Sequence, residues 1–250
     1  MNLHVSPSSL YASRMRTFSS AVVLFAHPDD AEFMCGGTVA RWANEGCQVH
    51  YVIATDGSAG SNEQGVTREG LREIREQEQR AAADVLGVSS VTFLGELDGH
   101  LEVTTATRRK VCREIRRLRP EVLVAPDPSR LWSGEGYINH WDHKQAGLLA
   151  LTAVMPDAPT RLMFQELEDE GLEPYEVPNL WLAMNDSGIC VDITDTMETK
   201  LRALAAHESQ LKREDVEKWV RGRAEELGKA SEEGFAYAEM FKVFRFVDED

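Results

Sequence analysis

Two short runs in the sequence place histidine and aspartate at spacings that can do chemistry. "AHPDD", residues 26–30, follows the apolar run "AVVLF", and "NHWDH" occupies residues 139–143. Adjacent carboxylates repel each other, and each costs free energy to desolvate. A purely structural turn rarely calls for both Asp29 and Asp30. His27 and Asp30 are three residues apart, as are His140 and His143. At that spacing two side chains on a turn or helix start face the same way. Two histidines and a carboxylate with open positions suit a catalytic zinc, and the same set suits a non-haem Fe2+. One at a time, each histidine reads as hydrogen-bonded or surface. Three of the seven histidines fall in these two runs, however, each beside aspartate, and together they point to a metal.

The remaining groups then take roles. Asp29 is placed to hold a water and accept its proton, which is general-base work; an N-cap or an Asx turn after Pro28 is the competing reading. His140 is either a fourth ligand or stays off the metal. In the second case it stabilises a developing oxyanion as an imidazolium, oriented and charged by Asp142.

The elements that must position these residues read as an alternation. Strands are expected at 21–26, 48–55, 90–95 and 121–126, and helices at 36–45, 68–86, 105–118 and about 142–155. Such alternation implies βαβ units, right-handed crossovers and a mostly parallel, Rossmann-like twisted sheet flanked by helices. With strand order 3-2-1-4-5, both runs fall at the switch point where doubly wound sheets bind ligands. Further on, "RLMFQEL", "PNLWLAM" and "GICVDI" read as strands, the last as a candidate antiparallel one. Helices follow at about 194–210 and 214–227, and "FKVFRFV" closes as a strand or extended arm. The whole, 1–250, is expected to be a single domain: an N-terminal arm (about 1–20), a core (about 21–155) and a C-terminal α/β extension (about 156–250).

Composition narrows the partners. The chain has 250 residues and a net charge of −15, which disfavours nucleic acid and anionic membranes and leaves a small molecule as the expected partner. No apolar run reaches membrane-spanning length. The four cysteines, Cys35, Cys47, Cys112 and Cys190, form no CxxC pair; they read as buried thiols, and a cytoplasmic location is expected. The Ser-rich first twenty residues carry Arg14 and Arg16 and read as an arm.

"AHPDDAEFMCGGT", "TDGSAGS", "REQEQRAAADVLGV", "NHWDHKQAG" and "LRALAAHESQ" occur in this order between residues 22 and 210. In these segments the chain resembles the PIG-L/LmbE family of zinc-dependent N-acetylglucosamine deacetylases. The resemblance implies His27, Asp30 and His143 as metal ligands and Asp29 as general base. It implies His140 as the group assisting the tetrahedral intermediate and leaving group, with Asp142 as its partner. It also implies a substrate that is a small N-acetylglucosamine conjugate (inositol, malate, chitin fragment, cell-wall or antibiotic sugar) and a homo-oligomer. Many members have proline where this chain has Trp141, and tyrosine at the position of Ile138; the adjacent Tyr137 can stand in. Trp141 is a candidate sugar-stacking residue, and an arginine near the second strand's loop is expected on sugar hydroxyls, with Arg68 the choice. Arg75, with Glu78 and Gln79, reads as a solvated helix face. His207 is a pocket residue by resemblance or else part of a capped helix end. "GGT" at 36–38 lacks GxGxxG and reads as close helix–strand packing.

Two rivals remain at this stage. A 2-His-1-carboxylate iron oxygenase needs no Asp29 and usually sits on a β-barrel. A non-catalytic sugar or nucleotide module on the same fold would need neither the full ligand set nor a spare base.

Overall fold

The computed structural model describes residues 17–133, 135–183, 187–211 and 216–246. Most of the expected N-terminal arm therefore lies outside the described residues. A seven-stranded sheet has the order β3-β2-β1-β4-β7-β9-β8. Its strands are β1 (Ser20–Phe25), β2 (Gln48–Thr55), β3 (Ser90–Glu96), β4 (Val122–Pro126), β7 (Asn179–Ala183), β8 (Ile189–Asp192) and β9 (Ala238–Arg245). The first four and β7 pair in parallel, while β9 runs antiparallel to both β7 and β8. The fold is thus mixed α/β with a mostly parallel sheet. A separate antiparallel hairpin joins β5 (Trp132–Ser133) and β6 (Tyr137–Ile138).

Among the described residues six α-helices cover the sheet: α1 (Asp30–Asn44), α2 (Arg68–Leu86), α3 (Thr105–Leu118), α4 (Trp141–Thr152), α5 (Met197–Ala205) and α6 (Val216–Ala230). Side chains alternate across a strand, and β1 shows the result. Val23 and Phe25 join the core under α1, α5 and α6, whereas Val22 and Leu24 join the core under α3 and α4. Both faces are dry, which is why the parallel strands read as continuous apolar runs. Phe18 seals one layer edge-on to Trp42 and Trp181, with ring centroids 5.3 and 5.6 Å away.

Several expected elements take other forms. Helix α1 begins at Asp30, six residues before the expected start, and runs through a non-helical residue at Cys35 (φ −146°). Gly36 and Gly37 lie inside it; a Cβ on Gly37 would come within 2.7 Å of Ile193. The glycine pair therefore marks close packing and not a helix start. "RLMFQEL" is no strand but a turn leading into a 3-10 helix at Gln165–Glu170. Only Leu167 of that helix is buried, while Glu166 and Glu170 pair with Arg109 and Glu170 also with Arg113 on α3. Helix α4 stops at Thr152 and gives way to a π-type turn containing Pro156, whose missing N–H cannot continue the ladder. The penultimate helix shortens to α5 behind a 3-10 turn at Thr194–Thr196. "FKVFRFV" contributes to β9. Cys35, Cys47 and Cys112 are free buried thiols, and Cys190 is a half-buried one. None of the described helices is long and apolar enough to cross a membrane.

Candidate active site

The strand order reverses between β1 and β4, so the loops leaving these neighbours diverge and open a crevice at their carboxyl ends. His27 leaves β1 and α1 begins three residues later. The turn between them is tight, and Asp29 carries it with left-handed backbone (φ 91°, ψ −28°). A non-glycine residue held there costs on the order of 1–3 kcal/mol and persists only when its surroundings over-determine it. After β4 the chain forms the β5–β6 hairpin and enters α4 through "NHWDH". His143 lies in the first turn of α4, and its ring comes within 5.2 Å of the His27 ring, centroid to centroid.

One donor atom each from His27, Asp30 and His143 lies within 4.8 Å of the others. His143 Nε2 is 2.9 Å from Asp30 Oδ1, and His27 Nδ1 is 3.4 Å from Asp30 Oδ2. Donors about 2.0 Å from a tetrahedral centre stand about 3.3 Å apart, so these spacings fit a small divalent cation. The tautomers fit as well. His143 Nδ1 lies 2.8 Å from Asn139 Oδ1, an oxygen that can only accept, which leaves Nε2 for a metal. His27 Nε2 lies 3.1 Å from Asp98 Oδ1 and 3.3 Å from Asp142 Oδ2. That edge of the ring therefore carries a proton, and Nδ1 is the free donor.

Charge makes the same demand. Asp29, Asp30, Asp98 and Asp142 converge on this crevice; Arg75 pairs with Asp29 and Asp98, while His27 and His143 face Asp30 and His27 faces Asp142. Burial alone would raise the Asp30 carboxyl, but His143 and His27 hold it well below the usual carboxylate range. Asp98, likewise opposed by burial, is brought to about 2 by His27 and by the Ala59 N–H. Asp29 goes the other way. Burial pushes it up to about 6, with Arg75 opposing and Asp30 adding to the rise. Neighbouring carboxylates with separated affinities for protons are the arrangement expected when one holds a metal and the other moves a proton.

Asp29 occupies the N-cap position of α1, yet its side chain caps nothing. Its carboxylate lies 3.2 Å from Arg75 Nη2. Arg75 is buried and also donates to Gly57 O (2.8 Å) and Pro28 O (2.6 Å). The solvated face expected for Arg75 and Gln79 is therefore corrected. Both side chains are buried and turned toward the β1 turn, with Gln79 Oε1 accepting from the Asp29 N–H at 3.0 Å.

His140 and Asp142 meet in a way the expectation did not anticipate. The Asp142 carboxylate is spent on the Gly99 N–H (2.7 Å), the Leu101 N–H (3.2 Å) and His27. What holds His140 is the Asp142 backbone N–H, which donates to His140 Nδ1 at 3.2 Å and so caps α4. In the neutral ring the proton then resides on Nε2. Burial, reinforced by His27, lowers the affinity of His140 for a second proton.

The three expected substrate residues lie at the exposed border of this buried centre. Arg68 is exposed and donates to Ser58 Oγ at 3.0 Å. Tyr137, in β6, is 45% exposed, and Asp30 contributes to the rise in its hydroxyl pKa behind the larger effect of burial. Trp141 is 54% exposed, and its indole N–H donates to Leu101 O at 3.2 Å. Asp98 and Asn139 carried no assigned role in the sequence. Asp98 offered only its position after a strand, and Asn139 only its place at the head of "NHWDH".

Known proteins resemble this chain in sequence and in fold. The family model "GlcNAc-PI de-N-acetylase" (PIG-L) matches residues 22–154. A diacetylchitobiose deacetylase of Thermococcus kodakarensis is 34% identical over 217 residues, covering 85% of this chain and 78% of that protein. The structure of N,N'-diacetylchitobiose deacetylase from Pyrococcus horikoshii superimposes with a TM-score of 0.83 at 29% identity, covering 91% of this chain and 84% of the other. GalB, a 4-carboxy-2-hydroxymuconate hydratase from Pseudomonas putida, shares the fold at a TM-score of 0.76 and 22% identity, covering 93% and 99%. The family match runs from β1 through α4 and so spans both histidine–aspartate runs, and on these grounds the chain belongs to the GlcNAc-PI de-N-acetylase (PIG-L) family.

Proposed function

We propose that the protein hydrolyses the acetamide of a small N-acetylglucosamine-containing molecule, giving acetate and a free amine, with zinc held by His27, Asp30 and His143. The observation that carries the reading is the convergence of these three side chains beside a second carboxylate, Asp29, whose proton affinity is set apart from that of Asp30. When bound, the cation supplies Lewis acidity, polarising the acyl oxygen and lowering the pKa of a coordinated water to about 7. The protein's own groups do the rest. Asp29 accepts a proton from the attacking water, the new C–O bond forms, and the acyl oxygen takes on negative charge. His140 donates its Nε2–H to that oxygen. As the C–N bond breaks, Asp29 returns the proton to the amine nitrogen. Asp98 and Asp142 keep His27 in the tautomer that leaves Nδ1 free, and Asn139 does the same service at His143.

Arg68, Tyr137 and Trp141 are assigned to the sugar and its leaving portion at the crevice mouth. The β5–β6 hairpin adds Trp132 and Ile138, 63% and 80% exposed. This apolar rim also supports assembly into a homo-oligomer, which light scattering tests: a lone 28 kDa species would reject it. The reaction is tested by assaying amine release across a panel of N-acetylglucosaminides, with diacetylchitobiose among them. Absence of amine from every member would refute the proposal.

A further inference from the structure

The peptide group between Pro28 and Asp29 is gripped from both sides by one turn of α2. Its carbonyl accepts from Arg75 Nη2 at 2.6 Å, and its N–H donates to Gln79 Oε1 at 3.0 Å. Residues four apart on a helix share a face, so a single helical turn presents both groups to the strained turn. Gln79 is fully buried, and its amide serves only one way round. An amide group has one accepting and one donating end. Gln79 Nε2 donates to Glu32 Oε1 at 2.9 Å, which turns Oε1 toward Asp29.

The line continues behind it. Glu32 Oε2 lies 3.3 Å from His207 Nε2, and both residues are fully buried. His207 belongs to the "HESQ" run, which the catalytic assignment does not use. Two residues later Ser209 donates from its N–H and its hydroxyl to the two oxygens of Glu78, both at 2.7 Å, on the same helix α2. The segment after α5 is thus tied twice to the elements that hold Asp29.

We propose that Gln79, oriented by Glu32 and His207, is a positioning residue that fixes the backbone of Asp29 and aims its carboxylate. The C-terminal part of the chain thereby completes the site while touching neither metal nor substrate. This rests on Asp29 being the base.

The test is a double-mutant cycle in the zinc-loaded full chain, with turnover expressed per bound zinc. Gln79→Met keeps length and removes both hydrogen bonds. It is expected to lower kcat by about 10- to 100-fold, the scale of lost outer partners, with KM within about twofold and zinc content unchanged. In the Asp29→Asn background the same change should cost less than about threefold, because residues acting through one another are not additive. Should Gln79→Met not fold, Glu32→Leu and Glu32→Gln carry the test. The first removes the acceptor from Gln79 and should lower kcat similarly. The second retains an oxygen and should recover to within about fivefold of wild type. Full additivity in the cycle, an unchanged kcat for Gln79→Met, or equal loss in both Glu32 variants would overturn the positioning role while leaving Asp29 as base. Wild-type turnover in Asp29→Asn alone would overturn the base assignment, and the positioning role with it.

Discussion

Asp29 and Asp30 are chain neighbours in opposite surroundings. Asp29 faces Arg75 and is pushed up to about 6 by burial, whereas His143 and His27 hold Asp30 well below the carboxylate range against the effect of burial. A substitution at each should therefore fail differently. Asn adopts left-handed backbone more readily than most residues, so Asp29→Asn keeps the turn, the volume and a hydrogen bond to water but cannot accept a proton. It is expected to retain zinc and lose about 100- to 10,000-fold in turnover. Asp30→Asn replaces a carboxylate donor by a neutral amide and is expected to lose zinc. Metal analysis beside the deacetylation rate separates the two, and the reverse pattern would exchange their roles. At this scale the sequence was legible in the two histidine–aspartate runs, whose His27, Asp30 and His143 the fold brings together. It was not legible for Arg75 and Gln79. A charged and an amide residue on a helix normally face water, and only the tertiary fold of the β1 turn and the Gly57 loop onto α2 buries them.

Helices carry these residues to one place, and close backbone approaches set the helices. Gly147 lies one turn beyond His143 on α4. A Cβ there would come within 2.5 Å of Pro126 O and 2.8 Å of Pro128 Cδ. Gly147→Ala should push α4 off the end of β4, destabilise the fold by about 1–3 kcal/mol, and weaken zinc binding through His143. Denaturant unfolding and a zinc titration check both effects, and unchanged values would show that α4 tolerates the shift. A second prediction concerns the junction of α1, α2 and the segment after α5. Burial alone would lower the pKa of His207, but Glu32, Asp29 and Glu78 raise it above its ordinary value of 6.5. A group with a raised folded pKa stabilises fully below its unfolded pKa, and the contribution fades as pH rises through the folded one. The stability gap between wild type and His207→Gln should accordingly be wider at pH 6 than at pH 9, measured by urea unfolding; equal gaps would contradict it. Among the elements, β1 to β4, α2 and α3 followed from hydrophobic period and turn residues. Helix α1 was missed at its start because a left-handed aspartate, not a usual cap, precedes it. "RLMFQEL" misled because its apolar residues are not at strand spacing, and Leu162 is 71% exposed.

Across the whole molecule, the sheet joins the early βαβ units to the later strands, with β7 pairing on β4 and β9 on β7. The switch point between β1 and β4 gathers the candidate catalytic side chains, while the segment after α5 reaches the same centre from behind. A fold of this kind does not by itself choose a reaction; the donor set and the base do. The central claim is that one divalent cation at His27, Asp30 and His143 is required for deacetylation. The direct measurement strips the purified protein with a chelator and titrates zinc back while following amine release from diacetylchitobiose, beside His143→Ala treated in the same way. The account predicts no release from the stripped protein, recovery that saturates at about one zinc per chain, and none in the variant. Full activity after stripping, or equal recovery by His143→Ala, would contradict it.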